Sequence, residues 1–362
     1  MQMNGIYLVI ITACVLMIAY RFYGAFMATR VLSLNTNRVT PAVRINDGGD
    51  YVPTNKWVNF GQHFAAIAGA GPLVGPVIAA QFGYLPGALW ILIGCVLAGA
   101  VHDFVLLFAS VRHDGKSIAD IAKEEISGVA GMATMISTLA LLIITMAGMA
   151  AVVANSLENS PWGFFTVSMT IPIAIFVGLY LRYIRPGAMT EATVIGIALI
   201  FADVIFVPDI AESSIASWFT WDREQILMML AVYSFFAAAL PVWLLMAPRG
   251  YLSTYMKIGT IGALALGIII VMPDIQMPAM SAYVWGGGPV LTGSVIPFVF
   301  ITIACGAISG FHATVSTGTT PKMLTNEKEM LPIGYGAMLT EGLIAMMALI
   351  AATELHTNDY LA

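Results

Sequence analysis

The chain has 362 residues, of which 59% are hydrophobic and only 10% charged, with a net charge of −5 and a mean hydropathy of +0.88. Soluble domains carry about 25% charged residues, so the composition excludes a soluble globular protein and defines an all-α, polytopic integral membrane protein. The small net charge identifies no partner beyond the lipid bilayer, and the lack of a basic patch argues against nucleic acid.

Windows of about 20 apolar residues predict about ten spans, near 5–21, 62–80, 87–111, 129–155, 164–181, 189–207, 224–247, 257–273, 294–318 and 333–353, in a single transmembrane domain over 1–362. The first run lacks a basic leader and ends in Tyr20-Arg21 with no small-residue cleavage site, so it reads as a retained span rather than a signal peptide. The basic residues set the topology. Arg21, Arg30, Arg38, Arg44 and Lys56 follow the first span; Arg112, Lys116 and Lys123 the third; Arg182 and Arg185 the fifth; Arg249 and Lys257 the seventh; Lys322 and Lys328 the ninth. Of the 15 basic residues only Arg223 breaks this alternation. Cytoplasmic loops carry the Lys and Arg, so both termini are predicted outside a cytoplasmic (inner) membrane.

The first cytoplasmic loop, 22–61, is longer than a connector needs to be, which marks it as functional or disordered. It is rich in turn formers, Asn46-Asp47-Gly48-Gly49-Asp50 among them. Tyr23, Phe26 and Tyr51 argue for order, Asp50 is available to pair with a basic neighbour, and Trp57 marks the interface; a solvated loop is the alternative.

The second span carries Gly69-Ala70-Gly71-Pro72-Leu73-Val74-Gly75-Pro76. Proline has no N–H to give to the carbonyl one turn earlier, and glycine lowers the cost of bending. Broken backbone at membrane depth survives only against protein or a water-filled cavity, and transporters use such breaks to bind solutes and ions. Gly69, Ala70, Gly71, Pro72 and Gly75 are therefore candidate substrate- or ion-binding residues. The alternative is a kinked helix packed closely through small residues.

The loop at 112–128 predicts a short amphipathic surface helix capped by Ser117. Ser160-Pro161-Trp162-Gly163 and the stretch from Trp218 to Trp221 put aromatics where the outer belt should lie. Cys14, Cys95 and Cys305 fall in apolar segments without metal-ligand spacing, so they read as small buried residues; no metal or cofactor is expected.

A second irregular run, 305–320 in the ninth span, holds three glycines, several hydroxyls and His312. Ser309, Gly310, Ser316, Thr317 and Thr319 are candidates for lining a site for Na+ or a small carboxylate. The alternative is hydroxyls bonded back to their own helix.

Ionisable residues at membrane depth are rare and point to function. Asp103 lies about eight residues, or about 12 Å, from the inner end of span three, and Glu341 about as deep in span ten. His63 and His312 sit near the same boundary, where imidazole and carboxylate exchange protons near neutral pH; backbone-bonded interfacial histidines are the alternative. Asp103, Glu341, His63 and His312 are the candidate coupling residues. His102 points about 100° away from Asp103 on a helix, so at most one of them faces a central cavity. Asp203 near the outer end of span six reaches water, and Glu191 sits where the helix dipole favours a negative charge. There is no GxxxxGK[ST], GxSxG or HExxH, which argues against ATP-driven transport and intramembrane hydrolysis.

These stretches resemble the carbon starvation protein family of inner-membrane transporters. The similarity is carried by Tyr20-Arg21-Phe22-Tyr23-Gly24, Asn46-Asp47-Gly48, Asp50-Tyr51-Val52-Pro53-Thr54, and His63 through Pro76. Asp103-Phe104, Ser160 to Gly163, Tyr180-Leu181-Arg182-Tyr183, Arg185-Pro186-Gly187, Leu240 to Leu245, Ala247-Pro248-Arg249 and Ser309-Gly310-Phe311-His312 extend it over nearly the whole chain.

The resemblance implies secondary uptake of peptides or pyruvate, driven by a proton gradient, and kinship with amino-acid transporters built on inverted five-helix repeats, although no repeat is visible in the sequence. Family members usually continue with further hydrophobic helices, so the expectation is a truncated chain or one half needing a second chain for the C-terminal helices. His102 stands where the better-known members have glutamine, which weakens a relay role for it.

The reading is alternating-access uptake of small carboxylated solutes, with a proton or sodium ion as partner. The rivals are a metal or cation permease using His63, Asp103, His312 and Glu341 as ligands, and a non-transporting sensor subunit.

Overall fold

In hydrocarbon each backbone N–H and C=O must find its partner inside the chain, which an apolar segment achieves as a helix. The computed structural model describes residues 4–185, 187–206, 213–214, 216–240, 244–356 and 359–360. Among the described residues every element is helical, apart from an isolated bridge between Asn4 and Asp274. Pro186 and Pro241-Val242-Trp243 of the family-like motifs, and Thr357, Asn358, Leu361 and Ala362 near the C-terminus, lie outside the described residues.

The elements that matter here, in chain order, are α1 (Gly5–Val31), α2 (Pro41–Ile45), α3 (Lys56–Ile67), α4 (Gly71–Ala79) and α5 (Tyr84–Arg112). They continue with α6 (Ile118–Glu125), α7 (Gly128–Leu157), α8 (Pro161–Ile184), α9 (Met189–Phe206), α10 (Arg223–Ala239) and α11 (Met246–Val271). The last are α12 (Val295–Thr302), α13 (Ala304–Ala307), α14 (Phe311–Ser316) and α15 (Glu327–Thr353).

Six single helices among the described residues are long and apolar enough to cross a membrane, and α3 with Gly71–Phe82 makes a seventh if that bent pair is one span. They fall on seven of the ten expected spans. Of the other three, α9 and α10 have 18 and 17 described residues, and the stretch 294–318 is divided into α12, α13 and α14.

The first helix does not stop at Arg21. It continues to Val31 through two π turns, Ala19–Gly24 and Met27–Val31, so the connection to α3 covers residues 32–55 and includes α2. Further π turns open along α5 at Cys95–Gly99, at the end of α8 at Tyr180–Ile184 and near the start of α15 at Leu331–Gly336.

The chain divides into two compact units, residues 1–142 with 259–362 and residues 143–258. In the first, α15 is the central element, with 78% of its apolar window buried. Met346, Leu349 and Ile350 pack with Ala79, Ile91 and Ile303 from three other segments; fully burying such a side chain contributes about 1.5–3 kcal/mol. In the second unit Ile173 and Val177 of α8 pack on Ala192 and Ile200 of α9 and on Leu252. There Phe164 stacks on Trp221 at 4.8 Å, and a capping box of Asp222 and Gln225 starts α10.

The connection 32–55 is ordered by contacts with two other loops of the same predicted side. Val52 N–H donates to the Lys322 carbonyl at 3.1 Å and Thr54 N–H to that of Met323 at 3.0 Å. Tyr51 Oη donates to the Asp114 carbonyl at 2.8 Å. Asp50 pairs with Lys322 at 3.4 Å, and Arg44 pairs with Asp114. Three loops that the basic residues place together in sequence thus meet in space. The surface helix α6 starts at Ser117, whose Oγ accepts from the Asp120 N–H at 3.3 Å.

Candidate functional site

Two interruptions build the site. Between α3 and α4 the chain turns at Ala68-Gly69-Ala70, with Ala68 outside helical geometry (φ −79°, ψ 67°), and the two helices meet at 43°. Pro72 fits the first turn of α4, where its missing N–H is harmless. Between α13 and α14 the chain is extended at Ile308 (φ −155°, ψ 120°). The two broken segments lie against each other: a Cβ on Gly71 would fall 2.5 Å from Cys305 Cβ, and one on Gly75 only 2.1 Å from the Thr302 carbonyl oxygen. Glycine at these two positions is what permits the approach.

Beside this contact three elements bring ionisable side chains together. Asp103 comes from α5, His312 from the first turn of α14 and Glu341 from α15; all three are fully buried. His312 Nδ1 lies 2.9 Å from Asp103 Oδ2, and His312 Nε2 lies 3.3 Å from Glu341 Oε2. An imidazole therefore stands between two carboxylates in a water-poor setting where uncompensated charge is costly. Asp103 Oδ1 is 2.9 Å from His102 Nδ1, and the His102 side chain is 28% exposed, so the row Glu341–His312–Asp103–His102 runs from the interior toward the surface of the unit. His102 and Asp103, though adjacent in sequence, both belong to it, because the imidazole folds back on its neighbour's carboxylate.

Cys305 completes the group. Its Sγ is 3.8 Å from His312 Nε2 and 3.9 Å from the Ile67 carbonyl at the end of α3. One ligand atom each from Cys305, His312 and Glu341 lies within 4.8 Å of the other two. Cysteines were expected to be buried bystanders; Cys14 is exposed and Cys305 half-buried beside the histidine. No helical spacing in the sequence signals this, because the chain leaves helical geometry at Ile308, between Cys305 and His312.

His63, fourth of the expected coupling residues, does not touch that row. Its Nδ1 is 2.9 Å from Thr320 Oγ1, while its buried Nε2 has no hydrogen-bond partner among the described residues. Thr320, together with Asn59, which donates to the Thr320 carbonyl at 3.3 Å, was missed in the sequence because a threonine before Pro321 reads as a loop residue. Of the other candidates, Pro72, Gly75, Ser309, Ser316 and Thr317 are buried, Gly69, Ala70 and Gly71 half-buried, and Gly310 and Thr319 exposed. Thr317 Oγ1 donates to its own helix at Ala313 O, 2.7 Å away, whereas the buried Ser316 Oγ has no hydrogen-bond partner among the described residues.

Long apolar helices, a bent helix pair and a buried carboxylate–imidazole–carboxylate row together define a polytopic helical membrane protein with a polar intramembrane core. The chain belongs to the carbon starvation protein CstA family, whose profile matches residues 4–362. It is 55% identical over 360 residues to the peptide transporter CstA of Bacillus subtilis (strain 168), covering 99% of this chain and 60% of that protein. It is 53% identical to the peptide transporter CstA of Escherichia coli (strain K12), with 100% of this chain and 52% of that protein covered. To the pyruvate/proton symporter BtsT of the same strain it is 50% identical, with 100% and 51% covered. The chain spans about half to three-fifths of the length of these relatives. No solved structure matches it.

Proposed function

We propose that this chain forms the core of a proton-coupled secondary transporter that takes up small carboxylated solutes, peptides or pyruvate, across the cytoplasmic membrane by alternating access, with both termini outside. The observation that carries the reading is the buried row of Asp103, His312 and Glu341 beside two broken helices.

Two carboxylates flanking one imidazole in a low-dielectric interior hold at least one proton, because two unprotonated acids and a neutral ring would leave two uncompensated negative charges. A substrate carboxylate arriving at the break adds a third. That charge is best offset by a further proton, which ties solute entry to proton entry. The start of α4 supports an anion site there: helix N-termini carry partial positive charge, and half-helices in transporters use it on substrate carboxylates. Gly69, Ala70 and Gly71 are half-buried at that end, and Gly71 packs on Cys305, next to His312. The relatives named for peptide and for pyruvate transport are the support for the substrate class.

The test is uptake of labelled pyruvate and of a labelled dipeptide into proteoliposomes containing the purified protein, with an inward proton gradient imposed. Accumulation of either that collapses when the gradient is dissipated is the expected result. A folded protein that accumulates neither overturns the reading.

A further inference from the structure

We propose that Cys305, His312 and Glu341 form a binding site for a thiophilic divalent cation of the Zn2+ class. The inference goes beyond the transport reading, since binding is read here without any flux.

The donor set is the first reason. A thiolate, an imidazole nitrogen and a carboxylate oxygen suit Zn2+ and its late-transition neighbours, whereas Mg2+ and Ca2+ prefer oxygen alone. Geometry is the second. Zn–N and Zn–O bonds near 2.0–2.2 Å and a Zn–S bond near 2.3 Å put tetrahedral neighbours about 3.4–3.6 Å apart. His312 Nε2 lies 3.3 Å from Glu341 Oε2 and 3.8 Å from Cys305 Sγ. The remaining edge, within 4.8 Å, closes by rotation of the Glu341 carboxyl. Three protein ligands leave the fourth position to a solvent oxygen.

The third reason lies one bond further out. A metal-binding histidine nearly always gives its other ring N–H to a carboxylate or carbonyl, which fixes the tautomer and raises the basicity of the ligating nitrogen. His312 Nδ1 faces Asp103 Oδ2 at 2.9 Å. Donation there leaves Nε2 with its lone pair toward Cys305 and Glu341. Access is provided at the break, where Cys305 and Gly69 to Gly71 are half-buried while His312 and Glu341 are not exposed at all. Binding replaces the S–H bond of Cys305 with an S–metal bond and displaces the proton held between His312 and Glu341, and both protons leave to solvent.

The experiment titrates the purified protein with Co2+ as the optical probe, then with Zn2+ as competitor. One Co2+ per chain, with a thiolate-to-cobalt absorption band that Zn2+ abolishes and about two protons released per metal, is the expected result. Cys305→Ser should remove the band and Cys95→Ser should keep it. Asp103→Asn should weaken binding by about 10–100-fold while keeping the band. A folded protein that shows no band, or a band that survives Cys305→Ser, overturns the proposal. A failure of this kind leaves the uptake assay untouched, and a failure of uptake leaves the titration readable.

Discussion

Arg112 and Glu327 form an ion pair, Nε to Oε1 3.0 Å, that joins the last residue of α5 to the first residue of α15. Glu327 is completely buried, and its second oxygen accepts from the Asn35 N–H at 2.8 Å. Arg38 stands 3.9 Å away with its side chain 50% exposed. One carboxylate therefore ties together the loop after α1, the end of α5 and the start of α15. Removing one partner of a buried pair costs about 3–5 kcal/mol because the other charge is left without compensation. Arg112→Met should lower thermal stability toward the lower end of that range, since Arg38 and Asn35 remain. Glu327→Leu should cost less, because Arg112 keeps 24% of its side chain exposed and can reach water. Equal shifts in Tm for the two variants would show that burial of the carboxylate is not what decides the effect.

The contact between the broken helices is tested at Gly75. A methyl group there would sit 2.1 Å from a backbone oxygen, which cannot rotate away as a side chain can. Gly75→Ala should destabilise the protein by about 1–3 kcal/mol, the usual cost of overpacking, and suppress uptake. Gly148→Ala in α7 meets nothing within 4 Å and should be neutral or stabilising by up to about 1 kcal/mol. Thermal melts of the two variants side by side provide the comparison.

Coupling is tested at the two acids. Asp103→Asn and Glu341→Gln retain side-chain shape, and at least one should lower gradient-driven uptake roughly tenfold or more while solute exchange continues. If both variants still concentrate solute, neither carboxylate carries the proton.

His113, just beyond α5, gives a pH signature of the loop side. Its Nε2 faces Glu125 Oε1 at 2.8 Å and its Nδ1 the Ala109 carbonyl at 2.7 Å. The hydrogen bond to Glu125, then that to the carbonyl, raises its pKa above the ordinary value. A raised folded-state pKa means stabilisation that is complete below the unfolded value, about 6.5, and is lost as pH rises through the folded one. With Glu125 64% exposed the effect is screened, under about 1 kcal/mol. Tm should therefore fall across that window more in the parent protein than in Glu125→Gln; identical profiles would dismiss the pair.

Asp103, His312 and Glu341 stood out in the sequence because charge is rare among apolar residues. Their meeting did not, since it depends on three helices that are far apart in the chain. The break after Ile67 was legible in its glycines and prolines. Cys305 was hidden by its apolar neighbours, and the hydroxyl of Thr317, read as a potential ligand, donates to the Ala313 carbonyl, which leaves its oxygen lone pairs available. The irregular run at 305–320 was legible in its glycines and hydroxyls, and the stretch 294–318 is divided into short helices. The continuation of α1 past Arg21 was hidden by a basic residue that normally marks an end.

Both acids of the central row follow a widened helical turn, Asp103 after Cys95–Gly99 and Glu341 after Leu331–Gly336. A π turn accommodates one residue more than an α turn, so it sets the angular phase of everything downstream. Tightening either turn into regular α geometry without removing a residue would leave the hydrophobic length nearly intact. The carboxylate beyond it would then swing by about 100°, away from His312. The aim of each acid thus depends on a turn staying wide some distance upstream, and its closure at constant length would silence the row while sparing every side chain in it.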